Sequence, residues 1–316
     1  MKLKTKISLV TLGGTALFAG TSYMAFKSLL DRTYETPRFL KEVFHKPSKN
    51  KKIHDNDERE LWFNEQQFTE YEIENAEGKI VKGYFLPAKK TSDVYVFCAP
   101  GFKTDAKRQF RFIAKYFHDK NINIFMIDHR ASGESDGRYI SFGMYEYYDA
   151  MQWLYFMKET FGNDIKTILY GVSMGAATVN NMCGDASLPE NVKFVISDCS
   201  FTSPWELFRY SLKNAHWPVF PLLQGVNMYN RIFNRFSFKD CNTPIESVKY
   251  MKLPVLFIHG KRDNFVPWQM VNKLYDECSS PDKELFIVED APHCACYLKA
   301  PEEYEAKINK LIEKYI

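Results

Sequence analysis

From Phe68 onward, short apolar runs alternate with stretches of helical periodicity, and this rhythm limits the possible folds more than any other feature of the chain. Ile80–Leu86 and residues 93–98, 122–127, 165–170, 192–196, 255–259 and 284–288 read as strands. Residues 107–119, 144–161, 175–183, 266–277 and Pro301–Tyr315 read as helices, with Phe110, Ile113, Ala114 and Phe117 on one face of the first. Strands separated by helical crossovers predict an α/β fold built on a doubly wound, mostly parallel sheet. The rhythm breaks once, over residues 201–239, where aromatic helical stretches carry Pro204, Pro218 and Pro221. That segment lies between two strands, so it reads as a helical insertion capping the sheet.

With 316 residues, 45% of them hydrophobic, the chain can bury a large core. Its net charge of +3 is unevenly placed: residues 1–60 carry 12 Lys/Arg against 7 Asp/Glu, and the remainder carries 30 against 32. The body therefore has no basic footprint for nucleic acid. Lys2, Lys4 and Lys6 precede an uncharged run from Ile7 to Phe26. About 20 helical residues span roughly 30 Å, a bilayer core, so residues 1–30 are expected to form a hydrophobic helix anchoring the chain in the cell membrane as a single pass. A cleaved signal and a plain soluble helix are the alternatives. The leading lysines favour an exported body, although Lys27, Arg32, Arg38 and Lys41 blur that signal. Seven scattered cysteines do not form a disulfide framework and argue the other way. Residues 31–64 read as a polar linker, and residues 65–316 as the body.

The chemistry centres on Gly171-Val172-Ser173-Met174-Gly175, between an apolar strand and the helix-forming Ala176-Ala177. A serine on a sharp strand-to-helix turn is exposed to an incoming carbonyl, and the helix N-terminus behind it offers N–H groups and a positive dipole end. The hydroxyl needs a base, and near neutral pH that is usually histidine. In this arrangement the base comes from the loop after the last strand, and the acid from a loop after an earlier one. His293, in Asp290-Ala291-Pro292-His293, fits the first place better than His45, His54, His118, His129, His216 or His259. Asp263, in His259-Gly260-Lys261-Arg262-Asp263, fits the second, with Asp198 as its competitor. The backbone N–H of Met174 and that of Phe102, in the loop after residues 93–98, are the expected oxyanion donors. Cys294-x-Cys296 beside His293 lacks a second Cys/His cluster in sequence, so no metal is expected. Gly133, Gly137 and Gly143 form no phosphate-binding fingerprint, so no cofactor is expected either.

Gly101-Phe102, the run Asp128-His129-Arg130-Ala131-Ser132-Gly133-Glu134-Ser135, the Ser173 pentapeptide, residues 259–267 and Ala291-Pro292-His293 together resemble the α/β-hydrolase superfamily. Within it the chain resembles bacterial serine esterases with a small helical lid, related to cinnamoyl esterases and prolyl-oligopeptidase-like catalytic domains. Pro301-Glu302-Glu303-Tyr304-Glu305 also looks like that branch. Two departures stand out: Pro100 precedes Gly101 where many relatives carry His, and Ala131-Ser132 replaces a frequent Gly-His. The resemblance implies cofactor-free cleavage of a small acyl ester or thioester through an acyl-enzyme. Peptide cleavage is the runner-up, and a non-catalytic hydrolase-fold binding protein is the reading from another class. Trp205, Phe208, Tyr210, Trp217, Phe220, Tyr229, Phe233 and Phe236 would line an acyl pocket under the lid or pack the insertion onto the sheet.

Overall fold

A computed structural model describes residues 18–44, 57–240 and 242–316. In chain order these form helix α1 (18–30), α2 (Arg38–Phe44), α3 (Glu58–Asn64), strands β1 (Thr69–Glu74), β2 (Ile80–Leu86) and β3 (Val94–Ala99), α4 (Ala106–Phe110), α5 (Ala114–Asp119), β4 (Asn123–Ile127), α6 (Glu146–Phe161), β5 (Lys166–Val172), α7 (Met174–Cys183) and β6 (Val192–Asp198). Then follow α8 (Pro204–Asn214), α9 (Leu222–Phe233), α10 (Pro244–Ser247), β7 (Val255–Gly260), α11 (Gln269–Glu277), β8 (Lys283–Val288), α12 (Cys296–Lys299) and α13 (Pro301–Tyr315). The expected helix over 107–119 is two short ones, α4 and α5.

The eight strands form one sheet in the order β1-β2-β4-β3-β5-β6-β7-β8. β1 and β2 pair antiparallel, as do β2 and β4, and every later pairing is parallel. The central strands are apolar because both faces are covered. Along β3, Val94, Val96 and Cys98 enter one core with Phe110, Phe117 and Tyr304, while Tyr95, Phe97 and Ala99 enter the other with Trp153, Leu154 and Met182. This is the period of two of a pleated strand.

A third core joins the excursion between β6 and β7 to the N-terminal helix. Ala25, Phe26, Leu29 and Leu30 pack with Leu207, Phe208, Leu212, Leu223, Val226 and Phe238. Ser22 is buried, and so is every residue from Ala25 to Leu30, the polar Lys27 and Ser28 included, so the last turns of the helix are enclosed on all sides. α1 crosses α9 so closely that a Cβ on Gly225 would lie 2.2 Å from Ser22 Oγ, and Tyr229 donates to the Ala19 carbonyl (3.2 Å). At its C-terminal end Asp31 is fully buried; it pairs with Lys27 and accepts from Arg138 Nε (2.9 Å).

These contacts bear on the expected anchor. Its second half is a helix packed into the protein, and residues 7–17 lie outside the described residues. Among the described residues no helix is long and apolar enough to cross a membrane. The expected linker holds α2 and α3, whose Leu40 and Phe63 are buried, while its residues 45–56 also lie outside the described residues.

Candidate active site

Ser173 stands between β5 and α7 with φ 56° and ψ −113°, a left-handed backbone that costs a non-glycine residue on the order of 1–3 kcal/mol. The turn closes only because its flanks are glycines. A Cβ on Gly175 would lie 1.8 Å from the Ala99 carbonyl oxygen, and one on Gly171 would lie 2.2 Å from the Gly175 carbonyl oxygen. The Ser173 N–H donates to the Asp198 carbonyl (2.8 Å), tying the turn to β6.

His293 follows β8, and its Nε2 lies 2.9 Å from Ser173 Oγ. Its Nδ1 lies 2.6 Å from Asp263 Oδ2, in the loop after β7. Asp263 is buried and well satisfied: Oδ1 accepts from the Phe265 and Val266 N–H groups (2.9 and 2.8 Å). Burial alone would raise the Asp263 carboxyl, but His293 and His259 outweigh it and hold it well below the usual carboxylate range. Burial lowers His293, yet the Asp263 carboxylate outweighs it and the imidazole sits above its ordinary value.

His259, which fits the base position less well than His293, has a supporting place instead. It is fully buried, its Nε2 lies 3.0 Å from the Val266 carbonyl and 3.2 Å from Asp263 Oδ2, and so it braces the acid from behind. Its i,i+4 spacing to Asp263 across the β7 end is the signal that could have found it. Asp198 does something else. Its Oδ2 accepts from Tyr304 OH (3.0 Å), fastening α13 to β6, and burial pushes its carboxyl up to about 6. His129 is fully buried and pushed down to about 4 by burial, so it stays neutral at physiological pH. His118 packs on Trp62 (ring centroids 5.0 Å), while His45 and His54 lie outside the described residues.

The two nominated oxyanion segments flank Ser173. Met174 is the first residue of α7 and is fully buried. The loop after β3 comes close enough that a Cβ on Gly101 would lie 3.6 Å from Ser173 Cβ. Beyond Phe102, Lys103 reaches α1 and donates to the Ser28 carbonyl (2.8 Å); burial pushes its ammonium down to about 8. The run at 128–135 is scaffolding. Asp128 Oδ1 accepts from the Ala106 N–H (2.8 Å), and its Oδ2 accepts from the Glu134 N–H and Tyr84 OH (2.9 Å each). A Cβ on Gly133 would sit 2.0 Å from that carboxylate.

Aromatic rings roof the site. Phe102 stacks on Phe142 (4.8 Å), which meets Phe208 of α8 edge-on (4.8 Å), and Phe265 covers His293 (5.0 Å). Only 3% of Ser173 is exposed, against 20% of the His293 side chain.

The family pattern described as alpha/beta hydrolase fold matches residues 95–217. The Pyrococcus furiosus esterase Pf2001 superposes with a TM-score of 0.63 at 20% identity, over 79% of this chain and 93% of that one. This chain has the α/β-hydrolase fold. Two further relatives are of uncharacterized function. The chain is 27% identical over 252 residues to YqkD of Bacillus subtilis, covering 79% of this chain and 81% of that protein. To YfhR of Escherichia coli K12 it is 26% identical over 182 residues, 57% of this chain and 56% of that protein. Within the α/β-hydrolase fold, ligands meet the sheet at the carboxyl ends of the parallel strands, where the loops after β3, β5, β7 and β8 converge on Ser173.

Proposed function

We propose that this protein is a serine hydrolase that cleaves carboxylic esters or thioesters through an acyl-enzyme. The observation that carries the reading is the unbroken contact chain from Ser173 Oγ to His293 (2.9 Å) and on to Asp263 (2.6 Å). In this scheme Ser173 Oγ attacks the carbonyl carbon while His293 Nε2 takes its proton. Asp263 holds Nδ1–H and stabilises the imidazolium. The tetrahedral oxyanion is met by the Met174 and Phe102 N–H groups. His293 then protonates the departing alkoxide or thiolate. A water deprotonated by His293 attacks the acyl carbon and returns Ser173 to its free state.

The fold relative Pf2001 is an esterase, which agrees with this choice of bond. The aromatic roof of Phe102, Phe142 and Phe208 suits an apolar acyl group, and α8 and α9 act as a lid that must shift to admit it. The kinship with lidded cinnamoyl-esterase-like enzymes belongs to the same proposal. So does attachment to a membrane surface through the basic and apolar residues 1–17. They lead into α1 beside exposed Tyr23, Met228, Ile232 and Phe233.

Labelling of the purified protein with a fluorophosphonate probe tests the core of this reading. Wild type is expected to label and Ser173→Ala is expected not to. A p-nitrophenyl ester series of rising chain length then sizes the acyl site. Folded wild type that neither labels nor turns over any ester would instead support a binding protein built on a hydrolase fold.

A further inference from the structure

Cys199 follows β6 directly, and Cys294 follows His293 directly. The sequence separates them by 95 positions, yet their Sγ atoms stand 3.6 Å apart. Cys199 Sγ, Cys294 Sγ and a ring nitrogen of His293 all lie within 4.8 Å of one another. Two thiolates on one tetrahedral zinc, each at about 2.3 Å, have their sulfurs about 3.7 Å apart. The protein holds its two sulfurs at nearly that separation. The sequence signal was incomplete because Cys294-x-Cys296 supplies the wrong pair: Cys296 is buried in the same core, beside Tyr304, but does not join the three-atom cluster, and the second sulfur comes from Cys199.

We propose that Cys199, Cys294 and His293 form a site for a thiophilic divalent cation, zinc being the first candidate, and that its occupation switches the hydrolase off. Each cysteine would bind as thiolate, releasing its proton to solvent, and His293 would give the metal a nitrogen lone pair. A fourth position stays open to water, as in three-ligand zinc sites. An imidazole whose lone pair is held by a metal cannot accept the Ser173 proton, so turnover stops without any change at Ser173 itself. Cys294 is only partly buried, and the His293 side chain is 20% exposed, so an ion can reach the site from solvent. The binding half of this inference stands on the sulfur and nitrogen geometry alone; the inhibition half rests on the serine-hydrolase reading.

The test uses the full chain, kept reduced with a phosphine and stripped of metal with a chelator. Cobalt(II) added to it is expected to give a thiolate-to-cobalt charge-transfer band and intense tetrahedral visible bands. Both should be lost in Cys294→Ser and in Cys294→Ala. Zinc is expected to suppress p-nitrophenyl acetate hydrolysis, and EDTA to restore it. Cys294→Ser should keep basal hydrolysis and need at least about tenfold more zinc for the same suppression. Folded wild type with no cobalt–thiolate band overturns the site, whether or not the protein hydrolyses esters. A band with undiminished hydrolysis overturns the switch, and equal zinc sensitivity in wild type and both Cys294 variants places the inhibitory ion elsewhere. If wild type hydrolyses nothing yet shows the band, the metal site stands and the serine-hydrolase reading falls.

Discussion

At Ser173, backbone strain and side-chain chemistry meet: a φ of 56° is tolerated because Gly171 and Gly175 leave room for the turn and the hydrogen bond to β6 anchors it. The same economy appears at Asp263, whose four partners leave it no alternative but the ionised form. His293 must be neutral to act as a base, so hydrolysis should rise with pH through its apparent pKa. The Asp263 charge lifts that pKa. Asp263→Asn is therefore expected to move the rising limb of the kcat/KM profile to lower pH. It should also lower the plateau on the order of 10⁴-fold, because the wrong tautomer then faces Ser173. A profile unchanged in position, with a loss under tenfold, would remove Asp263 from the mechanism. Asp198 also stands at the carboxyl end of a strand and is also buried, but Tyr304 holds it, and nothing in the local sequence separates the two aspartates that clearly.

At the scale of elements, α1 and the excursion of α8 and α9 form one unit. Phe26 is fully buried against Tyr139, Tyr229 and Phe233, with ring centroids 5.5, 6.2 and 5.3 Å away. Phe26→Ala is expected to cost about 3–5 kcal/mol, read as a lower urea midpoint at unchanged slope. The same packing separates two deletions. Removing residues 1–17 should spare hydrolysis of soluble short-chain esters and reduce binding to anionic vesicles. Removing residues 1–30 should lower stability and both activities, since Lys103 beside Phe102 also loses its partner Ser28. Full vesicle binding by the shorter deletion would end the case for a tether. The aromatic helices between β6 and β7 were visible in the sequence as a break in rhythm. Their partnership with α1 was not, because the contact of Tyr229 with Ala19 joins residues 210 positions apart.

For the whole molecule, Asp31 is the clasp between the N-terminal helix and the body. Burial raises its carboxyl, but Lys27, Thr33 and Arg138 outweigh burial and hold it at about 2, below the ordinary 3.8. A depressed folded pKa stabilises the fold above the unfolded value, so this contribution is complete above about pH 4 and fades as pH falls towards 2. Acid titration of stability should therefore be flatter across that window in Asp31→Asn than in wild type; equal slopes would mean that the clasp carries no pH dependence. The parallel sheet, the strand–turn–helix around Ser173 and the downstream order of Asp263 and His293 were legible because they are local. Periodicity, glycine at a tight turn and the loop after an apolar run are set within a few residues. Strand adjacency decided the rest. β6 lies beside β7 and β7 beside β8, and that order brings His293 against Asp263 and Cys199 against Cys294. Such contacts depend on which strand ends share an edge and on how each loop turns, and short-range patterning carries no record of either.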